Sequence, residues 1–390
     1  MKWPADRISN TSPKTFGMYE KALALEAQGI DLIHLEFGKP IHDTPQHIKD
    51  ATIAALQDGK VHYSDVRGES EFRGVLAAKL RDFNKMDFAT PDHILVANGL
   101  THASYLAFMA AIDPGDEVIL ISPHYPQHIN KIELCGGKVT FAKLDKDDNY
   151  RLRADWIEAA VTERTKMIVI VNPSNPTGRV FSREELTGLA DVAIKHDLLV
   201  VTDEVYEYIT FDKAQHISIA SLPGMAQRTI SLFAFTKAYA MDGWRLGYVV
   251  ADPSMIPAML KISMNDVTHV NTFVQYGGIA AVTADHAHVQ AMVDSDGSAR
   301  DMLVQRLNQM PGVTCHAPEG TIYAYPNIAG TGMTSTEAAL AILNEAHVVV
   351  EDGSFYGEAG EGHLRICFGS EPKERIAEAM DRIAAFFNNR

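Results

Sequence analysis

The strongest constraint on the fold is a series of continuous apolar runs that alternate with amphipathic helical stretches. Each run is rich in Val, Ile and Leu without regular polar alternation, so each predicted strand is buried on both faces. Buried strands separated by helices are typical of a mostly parallel α/β sheet. The predicted strands cover residues 94–97, 117–122, 167–171, 198–202, 229–233 and 246–250. The sequence therefore predicts a large α/β domain over residues 45–280.

One of the intervening helices carries a clear start signal. Ser182 directly precedes a stretch of helical periodicity, Arg183–His196, and Glu185 follows three residues later. At this spacing the two side chains form a capping box, in which each accepts a hydrogen bond from the other residue's backbone N–H. The sequence therefore predicts a helix that begins at Arg183.

The pattern changes after about residue 280. A helix is predicted over Asp285–Met310, and a last helix begins from Pro372. Between them, short alternating strands are predicted around residues 313–316, 322–325 and 364–367. This mixture is typical of an α+β domain.

The N-terminal region is expected to pack with this C-terminal part. It contains a predicted helix over Phe16–Gln28 and an extended stretch over residues 31–37. We therefore predict a smaller α+β domain that is formed by residues 1–44 and 281–390.

Charge and hydropathy exclude several classes of function. The 390-residue chain has a formal net charge of −15 and no basic block, which argues against nucleic acid or an anionic membrane as a partner. No apolar run reaches the roughly 18 residues that a membrane-spanning helix needs. The N-terminus has no apolar signal core, so cytoplasm is the expected location.

Cysteine and histidine spacing predicts no metal site. The three cysteines, Cys135, Cys315 and Cys367, are far apart and are expected to be buried free thiols. His124 and His128 are four residues apart, but Pro126 between them disfavours a helical pair of metal ligands.

Lys237 lies in a segment that suits covalent carbonyl chemistry. It follows the apolar run 229–234, and Arg245 comes eight positions later. A lysine amine can form a Schiff base with a carbonyl, and an arginine can hold a phosphate on the same ligand. The alternative is an ordinary surface lysine, so this interpretation depends on the segments described next.

Three further segments follow predicted strands. Residues 172–178, Asn-Pro-Ser-Asn-Pro-Thr-Gly, form a rigid loop where an asparagine amide can face a ligand, although a plain turn fits equally well. Asp203 ends an apolar strand, where a buried carboxylate needs a cationic partner such as a protonated ring nitrogen. Tyr206 can reach the same ligand, and the alternative is an aspartate that caps a following helix. Gly99 lies between a strand and a helix, where backbone N–H groups can bind an anion.

The order and spacing of these motifs resemble a class I, fold-type I pyridoxal-5′-phosphate aminotransferase, close to the bacterial aspartate and aromatic aminotransferases. The resemblance runs nearly end to end. It implies a ping-pong transfer of the amino group of an L-amino acid to a 2-oxo acid, commonly 2-oxoglutarate or pyruvate. It also implies a homodimer with shared active sites. The matching segments are Gly38-Lys-Pro and residues 62–68, 113–118, 172–178, 203–206, 237–247 and 357–365.

The resemblance implies a role for each residue around the cofactor ring. Lys237 would hold the cofactor as an internal aldimine and then move the proton between the substrate Cα and cofactor C4′. Asp203 would keep the pyridine nitrogen protonated. Tyr206 and Asn175 would hydrogen-bond the phenolic oxygen of the ring. Tyr125 would stack on the ring.

Two further groups of residues are implied by the same resemblance. The phosphate would be bound by Thr236, Arg245 and the backbone amides of Gly99, Leu100 and Thr101, with Tyr63 reaching the phosphate of the neighbouring subunit. The substrate α-carboxylate would be held by the two-pronged guanidinium of Arg365, beside Gly38 and Asn175.

Several residues depart from the pattern of the family. Ala234 stands where many relatives have a serine that contacts the phosphate. Thr101 stands where some members that prefer diacids have a lysine, and Ile262–Gln275 lacks the arginine that other aspartate aminotransferases direct at the distal carboxylate. These departures weaken an aspartate assignment. An aromatic or broad substrate range is permitted by the aromatic residues Phe16, Tyr125, Phe273 and Phe355.

Two alternative functions share the fold. A carbon–sulfur lyase that works by β-elimination would use the same cofactor, and nothing around Lys237 excludes it. A ligand-sensing regulator would need an additional basic DNA-binding domain, which is not expected here.

Overall fold

The structure, a computed structural model, describes residues 3–12 and 17–389. Phe16, where the first predicted helix starts, lies outside these ranges. The strands are β1 (Ile33–His34), β2 (Ile94–Ala97), β3 (Glu117–Ser122), β4 (Lys138–Lys143), β5 (Thr165–Val171), β6 (Leu199–Asp203), β7 (Thr229–Ala234), β8 (Gly247–Val250), β9 (Tyr323–Ala324), β10 (Val348–Val349), β11 (Glu351–Asp352) and β12 (Leu364–Cys367). The α-helices are α1 (Asp6–Ser9), α2 (Tyr19–Glu26), α3 (Gln46–Gln57), α4 (Ser70–Asp82), α5 (Gly99–Ala111), α6 (Gln127–Leu134), α7 (Ala154–Ala159), α8 (Arg183–Lys195), α9 (Ile256–Asp266), α10 (Thr272–Thr283), α11 (Ala287–Leu307), α12 (Ser335–Ala341) and α13 (Lys373–Asn388).

Seven of these strands form one sheet in the order β2-β8-β7-β6-β5-β3-β4. Neighbouring strands are parallel except where β8 pairs with β2 and β7. β8 returns antiparallel to β7 because the connection over residues 235–246 contains no helix that would carry the chain back across the sheet. The prediction of a mostly parallel α/β sheet is confirmed.

Both faces of this sheet are covered, as the continuous apolar runs predicted. Neighbouring residues of one strand point to opposite faces, so Val118 and Ile119 belong to different apolar clusters. The Val118 face packs against α5 and α9, and the Ile119 face packs against α7 and α8. The sheet is therefore a rigid platform for the loops at its edges.

The parallel strands also bring the predicted functional segments together. Because β2, β3, β5, β6 and β7 run in the same direction, their carboxyl ends lie along one edge. The loops that leave this edge carry Gly99, Tyr125, Asn175, Asp203 and Lys237.

The capping box at α8 is confirmed. Ser182 Oγ accepts from the Glu185 backbone N–H at 3.3 Å, and Glu185 Oε2 accepts from the Ser182 N–H at 2.8 Å. The helix ends at Lys195, and His196 is the C-cap rather than the last helical residue.

Residues beyond the large sheet form smaller sheets. The N-terminal β1 pairs in parallel with β10, and β9, β12 and β11 form an antiparallel sheet. The N-terminal and C-terminal regions of the chain therefore contact each other. The domain division at residues 44/45 and 280/281 stays a prediction. Among the described residues no helix is long and apolar enough to cross a membrane.

Three predictions about local structure are wrong. Residues 313–316 form a single bridge, Thr314 to Asn327, because the Asn308 side chain binds the backbone N–H and C=O of Cys315 that a partner strand would need. The helix predicted from Asp285 starts at Ala287, because His286 has a left-handed backbone with φ of 57°. Cys135 is only partly buried, whereas Cys315 and Cys367 are buried.

Candidate active site

A cavity of about 400 Å³ opens at the carboxyl edge of the large sheet. It is walled by loops of the sheet, by residues 36–39 and by the β11–β12 hairpin. Of the residues predicted to act in catalysis or binding, the cavity is lined by Gly38, Leu100, Thr101, Tyr125, Asn175, Asp203, Tyr206, Thr236, Lys237, Arg245 and Arg365. Tertiary structure therefore brings together eleven residues that are scattered along the sequence.

Lys237 projects into this cavity from the β7–β8 connection. Its Nζ donates a hydrogen bond to the Gly38 carbonyl oxygen and lies 5.9 Å from the centre of the Tyr206 ring. Within the described part of the chain, no carboxylate forms an ion pair with it. Its half-buried position does not fit the alternative of a solvated surface lysine.

Asp203 places a buried carboxylate in the cavity wall at the end of β6. The residue is 2% exposed, and Oδ1 accepts from the Val205 N–H at 3.2 Å. Residues 204–208 form no helix, so the alternative of a helix cap is wrong. The other oxygen, Oδ2, lies 3.6 Å from His128 Nε2. Burial lowers the pKa of His128, so this imidazole is neutral near pH 7 and does not supply a cation.

Tyr206 and Asn175 lie on either side of this wall. The Tyr206 hydroxyl donates to the Tyr323 hydroxyl at 3.1 Å. Burial raises the pKa of Tyr206 well above its ordinary value, so the phenol keeps its proton. This single proton is donated to Tyr323 here and would turn to a ligand oxygen on binding. Asn175 Oδ1 accepts from Arg365 Nη1 at 3.3 Å, which leaves its amide N–H groups for another partner.

An anion cradle lies at the N-terminus of α5. Gly99 has a left-handed φ of 78°, and a Cβ at this position would collide with the Arg245 guanidinium. Arg245 donates to the Asp242 carbonyl oxygen at 2.8 Å, and among the described residues no carboxylate neutralises it. Thr101 and Thr236 line the same side of the cavity. A helix N-terminus beside an unneutralised guanidinium suits a phosphate.

Arg365 on β12 also lines the cavity. It is 7% exposed, and its guanidinium lies over the rings of Tyr323 and Tyr356, 4.2 Å and 5.0 Å from their centres. Its Nη2 donates to the Glu36 carbonyl oxygen, while Nε has no hydrogen-bond partner in the described residues. A fixed guanidinium with an unused donor is suited to a carboxylate ligand.

Two predicted residues have other positions. Tyr63 is 88% exposed and does not line this cavity, and its ring packs against His269 with centres 5.3 Å apart. Gly99 lies behind the cavity lining and contacts Arg245.

Tyr125 is in the cavity wall, and its ring is edge-on to the His128 ring, with the ring centres 5.3 Å apart. Phe355 also lines the cavity, whereas Phe16 lies outside the described residues.

Sequence reasoning missed several residues of the cavity. Tyr323, Glu351 and Tyr356 line the cavity but lie in no motif that is recognisable in the sequence. His128 lies next to the cavity, where its Nε2 is 3.6 Å from Asp203 Oδ2. The contact of the Tyr323 hydroxyl with Gly38, where a Cβ would collide with it, joins distant parts of the chain and leaves no local signal in the sequence. Among the described residues no group of three His, Cys, Asp or Glu side chains is placed to hold a metal ion.

Comparison with known proteins identifies the class that this fold and site define. The sequence model of the family "Aminotransferase class I and II" matches residues 30–383. The chain is 34% identical to the aspartate aminotransferase of Musicola paradisiaca over 98% of this chain and 96% of that protein. It is 36% identical to aromatic-amino-acid aminotransferase 2 of Thermococcus litoralis over 97% of each chain. The solved aspartate aminotransferase of Rhizobium meliloti superimposes with a TM-score of 0.95 at 30% identity, covering 100% of this chain and 99% of that one.

The chain belongs to the class I and II aminotransferase family. It is an aminotransferase that uses pyridoxal 5′-phosphate to move an amino group between an amino acid and a 2-oxo acid. The cavity fits this cofactor, because a buried carboxylate without a cationic partner lies at one wall and an anion cradle lies at another.

Proposed function

We propose that Lys237 is the catalytic lysine of an enzyme that transfers the amino group of an L-amino acid to 2-oxoglutarate or pyruvate by a ping-pong mechanism. The observation that carries the proposal is the position of its Nζ. It lies in one cavity with the buried Asp203 carboxylate, the cradle of Gly99 and Arg245, and the Arg365 guanidinium.

Each of these residues has a chemical task. When bound, pyridoxal phosphate supplies an electron-accepting ring that stabilises negative charge at the substrate Cα. Asp203 holds a proton on the ring nitrogen, and the Tyr206 hydroxyl and Asn175 amide donate to the ring oxygen. Lys237 would act as the base that takes the proton from the substrate Cα, since its half-buried amine has no carboxylate partner among the described residues.

Binding is divided between the two ends of the cavity. Arg245, Thr236 and the first N–H groups of α5, from Gly99 to Thr101, hold the phosphate. Arg365 holds the substrate α-carboxylate, and this contact orients the Cα–H bond towards Lys237. Tyr125, which lines the cavity, would stack on the cofactor ring.

The lysine assignment is tested by reduction of the holoenzyme with borohydride. We expect a cofactor adduct on the peptide that contains Lys237 in the unmodified enzyme and no adduct in the Lys237→Ala variant. The Lys213→Ala variant, which changes an exposed lysine, should retain the adduct. Half-reactions with twenty amino acids, followed by the absorption spectrum, then identify the donors. An adduct on another lysine would refute the assignment. Pyruvate and ammonia released from cysteine without a 2-oxo acid would indicate the elimination reaction instead.

We also propose a homodimer with shared active sites. Apolar side chains are exposed along α3 and the loop after it: Ile53 is 50%, Leu56 43% and Val61 56% exposed, and Tyr63 follows. Such a patch is typical of a subunit interface, and Tyr63 would then reach the phosphate of the partner. Light scattering should give a dimer that Leu56→Glu dissociates with loss of bound cofactor, whereas Ile194→Glu on α8 should leave it intact.

Two further proposals concern location and domain division. The three free cysteines, Cys135, Cys315 and Cys367, favour a reducing compartment and so a cytoplasmic enzyme, which cell fractionation would test. The division into residues 45–280 and the flanking 1–44 and 281–390 is supported by the β1–β10 pairing. Limited proteolysis should cut first in the exposed loops nearest these boundaries, around residues 41–43 and 284–286, because 280/281 itself lies within α10.

A further inference from the structure

Glu351 is a buried acid in the cavity wall for which the proposed chemistry has no use. It is 4% exposed and lies on β11 directly opposite Arg365 of β12 in the antiparallel pair. Side chains of directly opposed residues lie on the same face of a sheet. The carboxyl group is therefore a neighbour of the guanidinium that is proposed to bind the substrate carboxylate.

The same carboxyl group holds the N-terminal segment. Glu351 Oε1 accepts from the Met18 backbone N–H at 3.1 Å and from the Asp352 N–H at 3.1 Å. Gly17 packs onto the carboxyl group with a φ of 59°, and a Cβ on Gly17 would overlap both oxygens. The backbone at residues 17 and 18 is thus shaped to fit this one side chain at the cavity wall.

The groups that face Glu351 come from several elements. Arg365 on β12 and Glu36 on the segment after β1 act on it with opposite charges, and the Tyr356 hydroxyl group belongs to the same neighbourhood. Helix α12 packs on β11 but presents Thr336 to Asp352 rather than a charged group. Arg365 is the cation whose charge most strongly favours the anionic form of this carboxyl group.

We propose that Glu351 is a positioning residue that fastens the Gly17–Met18 backbone beside Arg365, and that it takes up a proton when a carboxylate binds to Arg365. This inference rests on the proposed role of Arg365. A ligand carboxylate neutralises the guanidinium that favours the anionic form of Glu351, so the proton affinity of Glu351 increases on binding. Carboxylate binding and the position of the N-terminal segment are thereby linked through one proton.

The pKa of Glu351 lies where binding of a carboxylate near neutral pH can change the protonation of this group. Burial raises the pKa of Glu351 to about 7, although Arg365 opposes the shift. The carboxyl group can therefore change its protonation state near neutral pH. An upward pKa change of roughly one unit on binding would add about 0.4 proton per site.

Calorimetry of the holoenzyme at pH 7 tests the proton uptake. The ligand is 3-phenylpropionate, a carboxylate without an amino group, titrated in phosphate and in Tris, whose ionisation enthalpies differ. We expect Glu351→Gln to bind it with about 0.4 fewer protons taken up than the unmodified enzyme. Gln retains the acceptor oxygen for Met18 but cannot titrate. Equal uptake by both proteins would overturn the proposal. Uptake at the Lys237 amine is common to both and cancels in the difference.

Two further measurements keep the proposal testable if Glu351→Gln does not fold. Infrared difference spectra of the unmodified enzyme should gain a protonated-carboxyl band when 3-phenylpropionate is added, and the absence of this band would contradict the proposal. Gly17→Ala should raise the KM of amino acids about 5- to 10-fold with little change in kcat, the size expected for one lost hydrogen bond. Gly29→Ala is the matched control, because its φ of 82° is similar and no atom lies within 4 Å of its Cβ position. Equal effects of the two alanines would refute the positioning role.

These outcomes are separable from failure of the proposed function. If no amino acid reacts in a half-reaction, the function is wrong whatever the calorimetry gives. If amino acids react and Glu351→Gln changes neither the proton uptake nor the pH dependence of 3-phenylpropionate binding, only the role of Glu351 is wrong.

Discussion

Replacing Arg365 by lysine tests whether this residue binds the substrate carboxylate through its forked shape rather than its charge alone. In the structure, Nη1 and Nη2 are held by Asn175 Oδ1 and the Glu36 carbonyl oxygen, so the guanidinium plane is fixed. A carboxylate can then form two parallel hydrogen bonds with it. A lysine ammonium keeps the charge but retains only one of these contacts.

The expected magnitude follows from the loss of one charge-assisted hydrogen bond. Such a bond contributes about 1.5–3 kcal/mol, which corresponds to a fall in kcat/KM of roughly 10- to 150-fold. The assay is the stopped-flow half-reaction of the holoenzyme with L-phenylalanine, followed by cofactor absorbance. Arg382→Lys on α13 is the control, and it should change kcat/KM little because Arg382 lies outside the cavity lining.

A substrate without a carboxylate distinguishes loss of the carboxylate contact from general disruption of the active site by Arg365→Lys. 2-Phenylethylamine has the same ring and amine as phenylalanine, so its half-reaction should be nearly unaffected by Arg365→Lys. Equal losses for the amine and the amino acid would refute the assignment, because the substitution would then act on the whole site rather than on the carboxylate contact.

Two other predictions concern the cofactor cradle and the stability of the fold. Gly99→Ala should weaken the binding of pyridoxal phosphate to the apoenzyme about 10-fold or more, because the new Cβ displaces the Arg245 guanidinium. A fluorescence titration measures this affinity. Gly59→Ala is the control and should not weaken binding, because Gly59 has a similar φ of 75° and no atom lies within 4 Å of its Cβ position. Lys79→Met should lower the free energy of unfolding by about 3–5 kcal/mol in urea, because Lys79 and Glu207 form a buried ion pair at 2.5 Å. Adding Glu207→Gln should restore part of that loss, and no recovery would mean that the charge left behind is not its cause.

The features that were predictable from the sequence are those encoded locally. The runs at β3, β5 and β6 lack polar alternation, so burial on both faces followed from composition alone. The Ser182–Glu185 capping box is likewise a contact between residues three positions apart. The segments that carry Asp203 and Lys237 follow strands of one direction, so their meeting at one sheet edge could be predicted from topology.

Other features depended on which distant residues pack together. The Glu351 carboxyl group meets the Met18 N–H across 333 positions, and the Tyr206 hydroxyl meets that of Tyr323 across 117. No local pattern distinguishes Glu351 and Tyr323 from ordinary core residues, because their partners are brought to them only when the sheet of β9, β12 and β11 packs beside the large sheet. The sequence by itself determined the buried strands of the mostly parallel sheet and most of the residues able to do the chemistry. Tertiary structure decided which polar groups share the cavity, because burial and charge at a site are set by neighbours that the chain brings in from afar.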